Sequence, residues 1–308
     1  MTGGSRPHFC DRLAALVEER RSRVVLGLDP DPAALWPEVL ARFAGSGTGE
    51  LLARANTAEA VADHCRAAIV AAGPACVAVK LQLACFERLG APGWDALERT
   101  VAVARDHGLL VLADGKRGDV PVTARAYAQA LVGETAGPFG PVAGLGADAF
   151  TANPLLGRDS LEPLVEGAAA AGAGAFLLVR TSNPGAAEIQ DEGNPPLHER
   201  LAALTASIGE AHVGECGLSL VGAVTGATQP GLLGRLRDLM PRAVFLLPGV
   251  GAQGGKVEDL AAAFEPHPAA GLVTASRSIV NAHVERGGEP AAAAAAAAED
   301  LRAAAWDL

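Results

Sequence analysis

The stretch GLLVLAD, residues 108–114, shows the pattern on which the fold depends. It is a short, almost uninterrupted apolar run that ends in a carboxylate, as expected of a parallel strand covered on both faces. Seven further runs of this kind follow the same pattern: RVVLGLD (23–29), ACVAVKLQ (75–82), GADAFTAN (146–153), GAFLLVRT (174–181), SLVGAVTG (219–226), AVFLLPG (243–249) and AGLVTAS (270–276). The chain therefore contains eight candidate strands.

Longer segments with helical patterns separate the candidate strands. Examples are TAEAVADHCRAAIVAAG (57–73) and GWDALERTVAVARDHG (93–108), whose final Gly108 is a suitable helix cap. Eight strands that alternate with helices predict an α/β fold, a (β/α)8 TIM barrel. We expect a single domain over residues 1–308, with barrel strands at about 23–276. A doubly wound open sheet is the alternative, but no G-x-G-x-x-G follows the first strand.

Three segments exceed a minimal barrel. Residues 8–21 predict an extra N-terminal helix that could close the bottom of the barrel. Residues 30–72 form a long first connection, with a Gly/Ser/Thr-rich break at 45–49. Residues 287–308 are rich in alanine, a strong helix former, and predict a C-terminal helical tail without chemistry.

Composition excludes several classes of protein. The net charge of −10 disfavours nucleic-acid binding, which needs a basic face. The five cysteines are scattered and form no C-x-x-C pair, so neither a disulfide framework nor a zinc site is predicted, and a reducing cytoplasm fits them best. The N-terminus lacks the apolar core of a secretory signal, and no run is hydrophobic enough to span a bilayer. We therefore expect a cytoplasmic protein with no membrane partner.

Polar residues collect at the C-terminal ends of the predicted strands. In a (β/α)8 barrel these ends form one face, and the active site lies there. The residues at or just beyond strand ends are Asp29, Lys80, Gln82, Asp114, Lys116, Asp119, Thr151, Asn153, Ser182, Asn183, Thr225 and Arg277. Their convergence from distant positions indicates an enzyme.

One group of these residues is charged. Residues two apart in an extended segment point the same way, so Asp114 and Lys116 can face one cavity. With Lys80 and Asp119 they form an alternating array in which buried charges compensate one another. Structural explanations are also open: Asp119 could cap a helix that starts near Val120, with Pro121 in its first turn, and Lys80 could extend from the barrel rim to water.

The second group is suited to an anion. PGVGAQGG (248–255) is a glycine-rich loop after the seventh strand, whose amides could approach a phosphate closely. Arg277, after the eighth strand, carries a planar set of donors. Loops after strands seven and eight are the usual phosphate site of these barrels. An ordinary turn and a surface arginine are the alternative.

These residues together resemble a known family. DGKRGDV (114–120) is similar to the D-x-K-x-x-D signature of the orotidine 5′-phosphate decarboxylases. The resemblance extends over nearly the whole barrel. Within the family, the chain resembles the bacterial subgroup with longer chains. Its other motifs are GLDP (27–30), VKLQ (79–82), RTSNP (180–184), PGVGAQGG (248–255) and SRSI (276–279).

The resemblance implies a reaction and a set of catalytic residues. The reaction would be the decarboxylation of orotidine 5′-phosphate to uridine 5′-phosphate (UMP) and CO2, without metal or cofactor, as the final step of de novo pyrimidine nucleotide synthesis. Lys116 would donate a proton to C6 of the pyrimidine, and Asp114 would lie beside the substrate carboxylate. Lys80 and Asp119 would complete the charged array. Asp119 and Thr123 would reach the neighbouring site of a homodimer.

The resemblance also implies how the substrate is bound. Asp29 and Lys80 would hold the ribose hydroxyls, and Ser182 would hydrogen-bond the pyrimidine. The phosphate would be bound by Gln253 and Arg277, with Pro248 also among the substrate-binding residues. The resemblance gives Arg117, inside the signature, no role beyond a structural one.

Three other functions remain open on the sequence. A Mg²⁺-dependent sugar-phosphate decarboxylase or aldolase shares D-x-K-x-x-D but would need another carboxylate near the second strand, where Glu87 is the only candidate. A Schiff-base aldolase would need Lys80 or Lys116 deprotonated, which their acidic neighbours disfavour. A barrel that only binds a phosphorylated ligand is the non-enzymatic alternative.

Overall fold

The computed structural model describes residues 6–44 and 49–308. Eight parallel strands close into a barrel in which each strand pairs with its neighbours along the chain and the first pairs with the last. The strands are β1 (Val24–Leu28), β2 (Ala78–Gln82), β3 (Leu110–Arg117), β4 (Ala149–Ala152), β5 (Gly174–Arg180), β6 (Ser219–Thr225), β7 (Ala243–Pro248) and β8 (Gly271–Ala275). The predicted TIM barrel is therefore confirmed. Seven strands lie within their predicted runs, and β3 continues three residues beyond its run, to Arg117.

The helices surround this barrel. They are α1 (Phe9–Arg20), α2 (Pro37–Leu40), α3 (Glu50–Ala72), α4 (Leu83–Glu87), α5 (Ala91–Asp106), α6 (Pro121–Leu131), α7 (Arg158–Ala170), α8 (Ala187–Gln190), α9 (Leu197–Gly209), α10 (Pro230–Leu239), α11 (Arg277–Val280), α12 (Ala282–Arg286) and α13 (Pro290–Trp306). The connection from β7 to β8 is a 3₁₀ helix, Val257–Phe264, and thus departs from the regular repeat. A short antiparallel hairpin, Glu134–Thr135 with Val142–Ala143, precedes β4.

The helix caps follow from the local sequence. Helix α5 ends at Asp106, and Gly108 follows with a φ of +66°, a conformation that glycine adopts without a steric penalty. The Leu109 amide then returns to the Ala104 carbonyl at 3.0 Å. Gly108 thus ends the helix as predicted and lets the chain turn directly into β3.

Helix α1 lies against the N-terminal ends of two strands. The ring of Phe9 meets Phe176 edge to face, with centroids 6.0 Å apart. Its neighbour Cys10 donates from Sγ to the carbonyl of Ser219, where β6 begins, at 3.0 Å. The extra N-terminal helix therefore covers the bottom of the barrel, opposite the predicted active-site face.

The alanine-rich tail is a packed helix. Ala294, Ala298 and Ala305 of α13 are fully buried. The guanidinium of Arg23, just before β1, lies 5.3 Å from the Trp306 ring and donates to the Ala305 carbonyl at 2.9 Å. The small alanine side chains let the helix approach closely, so the tail contributes to the fold. That residues 1–308 form one domain remains a prediction.

The long first connection also packs on the barrel. Trp36 is buried, and its indole donates to the Val280 carbonyl at 2.9 Å. The Trp36 amide donates to Nδ1 of His64 on α3 at 3.2 Å. Most of the predicted break, residues 45–48, lies outside the described part of the chain. None of the described helices is long and apolar enough to cross a membrane.

Candidate active site

A cavity of about 350 Å³ opens at the C-terminal ends of the barrel strands. Eight of the ten predicted site residues line it: Asp29, Lys80, Asp114, Lys116, Ser182, Pro248, Gln253 and Arg277. They come from β1, β2, β3, β5, β7 and β8 or from the loops that follow these strands. Barrel closure therefore brings together residues that are up to about 250 positions apart in the chain.

Two predicted site residues do not line this cavity. Thr123 is exposed on α6, and Asp119 lies in the loop before that helix. The Asp119 carboxylate accepts from the Val120 amide at 2.7 Å. The N-cap of α6 is Val120, without a side-chain cap, so the alternative that Asp119 is the cap is wrong. The predicted action of Asp119 and Thr123 in a neighbouring site remains a prediction.

Asp114 is the centre of the charged array. It is buried, and each of its oxygens accepts two hydrogen bonds. Oδ2 accepts from Lys80 Nζ at 2.7 Å and from Gln82 Nε2 at 3.2 Å. Oδ1 accepts from Lys116 Nζ at 2.7 Å and from Thr151 Oγ1 at 2.8 Å. Four donors thus satisfy the carboxylate, as a buried charge requires.

The electrostatics of the array keep its buried members ionised. Burial alone would raise the pKa of Asp114, but the adjacent ammonium groups of Lys80 and Lys116 outweigh it and hold the pKa well below the ordinary value. Burial would likewise lower the pKa of Lys80, but Asp114 and Asp29 reverse the effect and raise it. Asp29 Oδ1 lies 3.6 Å from Lys80 Nζ. At neutral pH the cavity therefore contains a carboxylate between two ammonium groups.

The backbone at Lys116 has an unusual conformation. Its φ is +48°, in the left-handed region that non-glycine residues rarely adopt. The β3–β4 register shifts here: Ala113 pairs with Phe150, whereas Arg117 pairs with Ala152. Two more residues on β3 than on β4 make a bulge, which is typical of strand ends near active sites. The Lys116 amide donates to Thr151 Oγ1 at 2.9 Å.

The opposite side of the cavity is formed by the ends of β5, β7 and β8. Ser182 Oγ donates to Gln253 Oε1 at 2.8 Å and so joins two loops across the opening. Arg277 is exposed at the start of α11, and no ion pair engages it within residues 6–44 and 49–308. A cationic, unpaired guanidinium beside neutral amide and hydroxyl groups suits a phosphate.

The glycine-rich loop differs from expectation. The amide of Gly251 donates to the Gly255 carbonyl at 2.9 Å, that of Gly254 to Gly251 at 2.8 Å, and that of Gly255 to Gly249 at 3.0 Å. Three of the amides predicted to approach an anion therefore stabilise the loop itself. Gly249 lines the cavity with a φ of +102°, where the chain turns from β7 into the loop.

The loop after β5 is anchored by an ion pair that sequence reasoning missed. Arg180 is buried at the end of β5, and its guanidinium donates to both oxygens of Asp191, at 2.8 and 3.0 Å. The hydrogen bonds from Arg180 lower the pKa of Asp191. Gln190 Oε1 accepts from the Thr181 amide at 2.8 Å. These contacts hold the base of the segment that carries Ser182.

Gln82 and Thr151, which both donate to Asp114, line the cavity although the sequence assigned them no role. Both are polar residues at the ends of apolar runs, and this is the signal that could have identified them. Asn153 and Thr225, which share that signal, do not line the cavity. Position at a strand end is therefore insufficient, because the side chain must also point into the barrel.

Arg117 and Glu87 pair with each other. The Arg117 guanidinium forms a salt bridge with Glu87 and lies 5.5 Å from the Tyr127 ring centroid. Arg117 thus has structural contacts, and the carboxylate considered for a metal is already engaged. Within the described ranges, no three His, Cys, Asp or Glu side chains form a group that could hold a metal ion.

Comparisons with known proteins identify the family of this chain. The sequence model of the orotidine 5′-phosphate decarboxylase / HUMPS family matches residues 22–296. The orotidine 5′-phosphate decarboxylase of Deinococcus radiodurans is 40% identical over 274 residues, and that of Rhodopirellula baltica is 38% identical over 277; each alignment covers 89% of both chains. The OMP decarboxylase structure from Leishmania donovani superposes with a TM-score of 0.70 at 29% identity, covering 96% of this chain and 98% of that one. The chain belongs to the orotidine 5′-phosphate decarboxylase / HUMPS family.

Proposed function

We propose that this protein decarboxylates orotidine 5′-phosphate to UMP and CO2, the last step of de novo pyrimidine nucleotide synthesis. The observation that carries the proposal is the arrangement around Asp114, where two ammonium groups flank one buried carboxylate beside a cavity with an arginine on its far side. Membership of the family and the names of its relatives support the same activity. The substrate is an anion at both ends, and the cavity offers cations at both ends.

The chemical difficulty of this reaction lies at C6 of the pyrimidine. When the bond from C6 to the carboxylate breaks, its electron pair stays on C6 in the plane of the ring, where the ring carbonyls cannot delocalise it. A fixed ammonium at Lys116 stabilises this developing charge. The Lys116 Nζ then transfers a proton to C6, and solvent returns a proton to the amine. Because these steps are electrostatic and acid–base in nature, side chains can supply them.

Asp114 acts on the carboxylate of the substrate. Its pKa is lowered, so it meets the substrate carboxylate as a second anion. The repulsion between the two disappears as CO2 leaves without charge. Lys80, at 2.7 Å from Asp114, keeps this carboxylate in place when Lys116 turns to the substrate. This repulsion is greater in the bound substrate than in the transition state, so its loss lowers the activation barrier for decarboxylation.

The size of the required reduction in the activation barrier explains why the cavity also has groups for the phosphate. Enzymes lower activation barriers by about 8–23 kcal/mol, whereas one preorganised donor contributes about 3–4 kcal/mol. Lys116 alone is therefore insufficient, and binding energy from the non-reacting phosphate has to help to organise the site. Arg277 and Gln253 are the groups that we assign to the phosphate, and Asp29 and Lys80 those that we assign to the ribose. Ser182, next to Gln253, is assigned to the pyrimidine.

The loops after β5 and β7 are the segments that we expect to close over the substrate. They meet through the hydrogen bond from Ser182 to Gln253. A phosphate bound between Gln253 and Arg277 would link both loops to the start of α11. Closure of this kind excludes water and strengthens each electrostatic contact in the cavity.

Absorbance spectroscopy tests the activity directly. Loss of the C6 carboxylate changes the ultraviolet spectrum of the pyrimidine, so we expect a continuous absorbance change with orotidine 5′-phosphate in the presence of EDTA. A metal-dependent sugar-phosphate enzyme of the same family would give no change with this substrate. Glu87, the candidate ligand for such a metal, is engaged by Arg117, which favours the decarboxylase. Absence of turnover by the folded protein would overturn the proposal.

The active form that we propose is a homodimer with shared sites. Asp119 and Thr123 lie outside the cavity of their own chain, and the nearby side chains Val120 and Val122 are 54% and 84% exposed. An interface here would bury this apolar surface and bring Asp119 towards a second chain. We also place the protein in the cytoplasm, which suits five free thiols.

Mixing two inactive variants tests the shared site. In a dimer of Asp119→Ala and Lys116→Ala chains, one site has both residues intact and the other has neither. Random exchange should therefore restore roughly a quarter of wild-type activity. If mass spectrometry shows exchanged dimers and no activity returns, Asp119 acts within its own chain.

A further inference from the structure

Thr151 has a position in the cavity that the reaction described above does not yet use. It lies on β4, is 1% exposed and lines the cavity beside the charged array. Its Oγ1 is 2.9 Å from the amide nitrogen of Lys116 and 2.8 Å from Oδ1 of Asp114. One hydroxyl thus connects the backbone of the proposed proton donor to the carboxylate beside it.

The direction of these two hydrogen bonds is determined by chemistry. A backbone N–H can only donate, so Thr151 Oγ1 accepts from Lys116. The lowered pKa of Asp114 makes it an ionised acceptor, so the hydroxyl proton of Thr151 points to it. Because its acceptor is ionised, the second hydrogen bond is stronger than a hydrogen bond between two neutral groups. No alternative orientation of the hydroxyl satisfies both partners.

These bonds coincide with the strained part of the chain. Lys116 is held at a φ of +48° in the β3–β4 bulge, a conformation that costs about 1–2 kcal/mol for a residue with a side chain. Such strain persists only when the surroundings over-determine the conformation. The hydrogen bond from Lys116 N to Thr151 is one of the contacts that do so. The left-handed backbone in turn determines where the Lys116 side chain starts.

We infer that Thr151 is a positioning residue for the decarboxylation, an inference that rests on the proposed function. It holds the left-handed backbone of Lys116 and the Asp114 carboxylate in one geometry, so that Nζ is placed for transfer to C6. A shift of about 1 Å in a reacting group can reduce turnover about 100-fold. Thr151 thus acts through Lys116 and Asp114, without a reaction step of its own.

Thr225 provides a comparison for Thr151. It is also a threonine at a barrel-strand end, on β6, and it is fully buried. Its Oγ1 has no hydrogen-bond partner in the part of the chain that the structure describes, and it does not line the cavity. The two threonines thus match in type, burial and position at a strand end, but only Thr151 contacts the charged array. Thr225→Val is consequently a matched control for Thr151→Val.

The experiment compares four variants by steady-state kinetics with orotidine 5′-phosphate and by UMP binding. Thr151→Val keeps the shape of the side chain but loses both hydrogen bonds, so kcat should fall about 10- to 100-fold. UMP affinity should stay within about 3-fold, because the phosphate and ribose groups lie elsewhere in the cavity. Thr225→Val should keep wild-type kcat. The remaining pair, Thr151→Ser and Thr151→Ala, differs only in the hydroxyl, and kcat should be at least about 10-fold higher for serine.

The outcomes separate this inference from the proposed function. If the wild-type protein has no decarboxylase activity, the proposed function is wrong. If the wild type is active and Thr151→Val retains full kcat, the positioning role is wrong. Should Thr151→Val fold poorly, the serine-to-alanine ratio decides, and a ratio near one overturns the inference. Equal losses in kcat and UMP affinity would also overturn it, since they would show a general disruption of the cavity.

Discussion

Replacing Asp114 by asparagine tests whether the charged array stabilises the fold. The substitution keeps the shape of the side chain and removes its charge. Lys80 is 7% exposed and would lose its partner at 2.7 Å, retaining only Asp29 at 3.6 Å. Lys116, whose side chain is 44% exposed, would also lose its partner but could turn to water. The loss therefore falls mainly on Lys80, a buried cation without adequate compensation.

The expected magnitude follows from burial. Removing one partner of a buried ion pair costs about 3–5 kcal/mol. An unfolding entropy of about 2.1 cal/mol/K per residue gives about 0.65 kcal/mol/K for a chain of this length. Asp114→Asn should therefore lower the Tm by about 5–8 °C at pH 7. Asp300→Asn is the matched control, because its 2.7 Å pair with Arg286 is exposed and its loss should cost at most about 1 kcal/mol, or under about 2 °C.

The pH dependence gives the prediction a sign. The pKa of Asp114 is lowered from its ordinary value of 3.8, so its contribution to the free energy of unfolding is complete above that value. As the pH falls below 3.8 towards the lowered pKa, the unfolded chain binds the proton first and the contribution is lost. Asparagine has no such group. The Tm difference between wild type and Asp114→Asn should thus be constant from pH 5 to 8 and shrink in acid.

Differential scanning calorimetry of the two variants and the wild type decides the question. A Tm for Asp114→Asn equal to that of Asp300→Asn would show that the array contributes nothing to stability. A Tm above that of the wild type would show that the array is strained and held by the rest of the fold, as at some active sites. Either result would refute the argument that four donors compensate the buried carboxylate.

Three further outcomes follow from the structure. Lys116→Ala should abolish turnover measured by ultraviolet absorbance, with a Tm within about 2 °C of wild type because its pair is half-exposed; near-normal turnover would refute its role. Arg277→Ala should weaken UMP much more than uridine in calorimetric titrations, whereas equal losses would show that it does not bind phosphate. Trp306→Ala should cost about 2 kcal/mol in denaturant unfolding, since it uncovers Arg23, and leave kcat unchanged; a loss of kcat would give the tail a role in the site.

The strands and the face that carries the site could be predicted from the sequence. A strand covered on both faces needs a local apolar run, and each run is visible without knowledge of its neighbours. The C-terminal ends of parallel strands in a barrel share one face, so Asp29, Lys80, Asp114 and Arg277 could be assigned to it from their positions alone. The position of these residues on the active-site face could be predicted because it depends only on the local apolar pattern and on the general geometry of the barrel.

The orientation of side chains at that face could not be predicted in the same way. Spacing alone gave Asn153 and Thr225 the same standing as Thr151, but only Thr151 lines the cavity. Spacing also suggested that the amides of Gly251, Gly254 and Gly255 would approach an anion, whereas they hydrogen-bond within the loop. Each of these outcomes depends on contacts between segments, which sequence spacing does not record.

The barrel, the end of it that carries the chemistry and the charges gathered there could therefore be predicted from the amino-acid sequence. The tertiary structure alone decided that Asp114 has four donors and that Asp119 lies outside the cavity of its own chain. It also decided that Lys116 is left-handed and bound to Thr151. The physical reason is that these features depend on contacts between segments distant in the chain: β2 supplies two of the donors to Asp114, and the β3–β4 register, set between strands some 35 residues apart, places Thr151 beside Lys116.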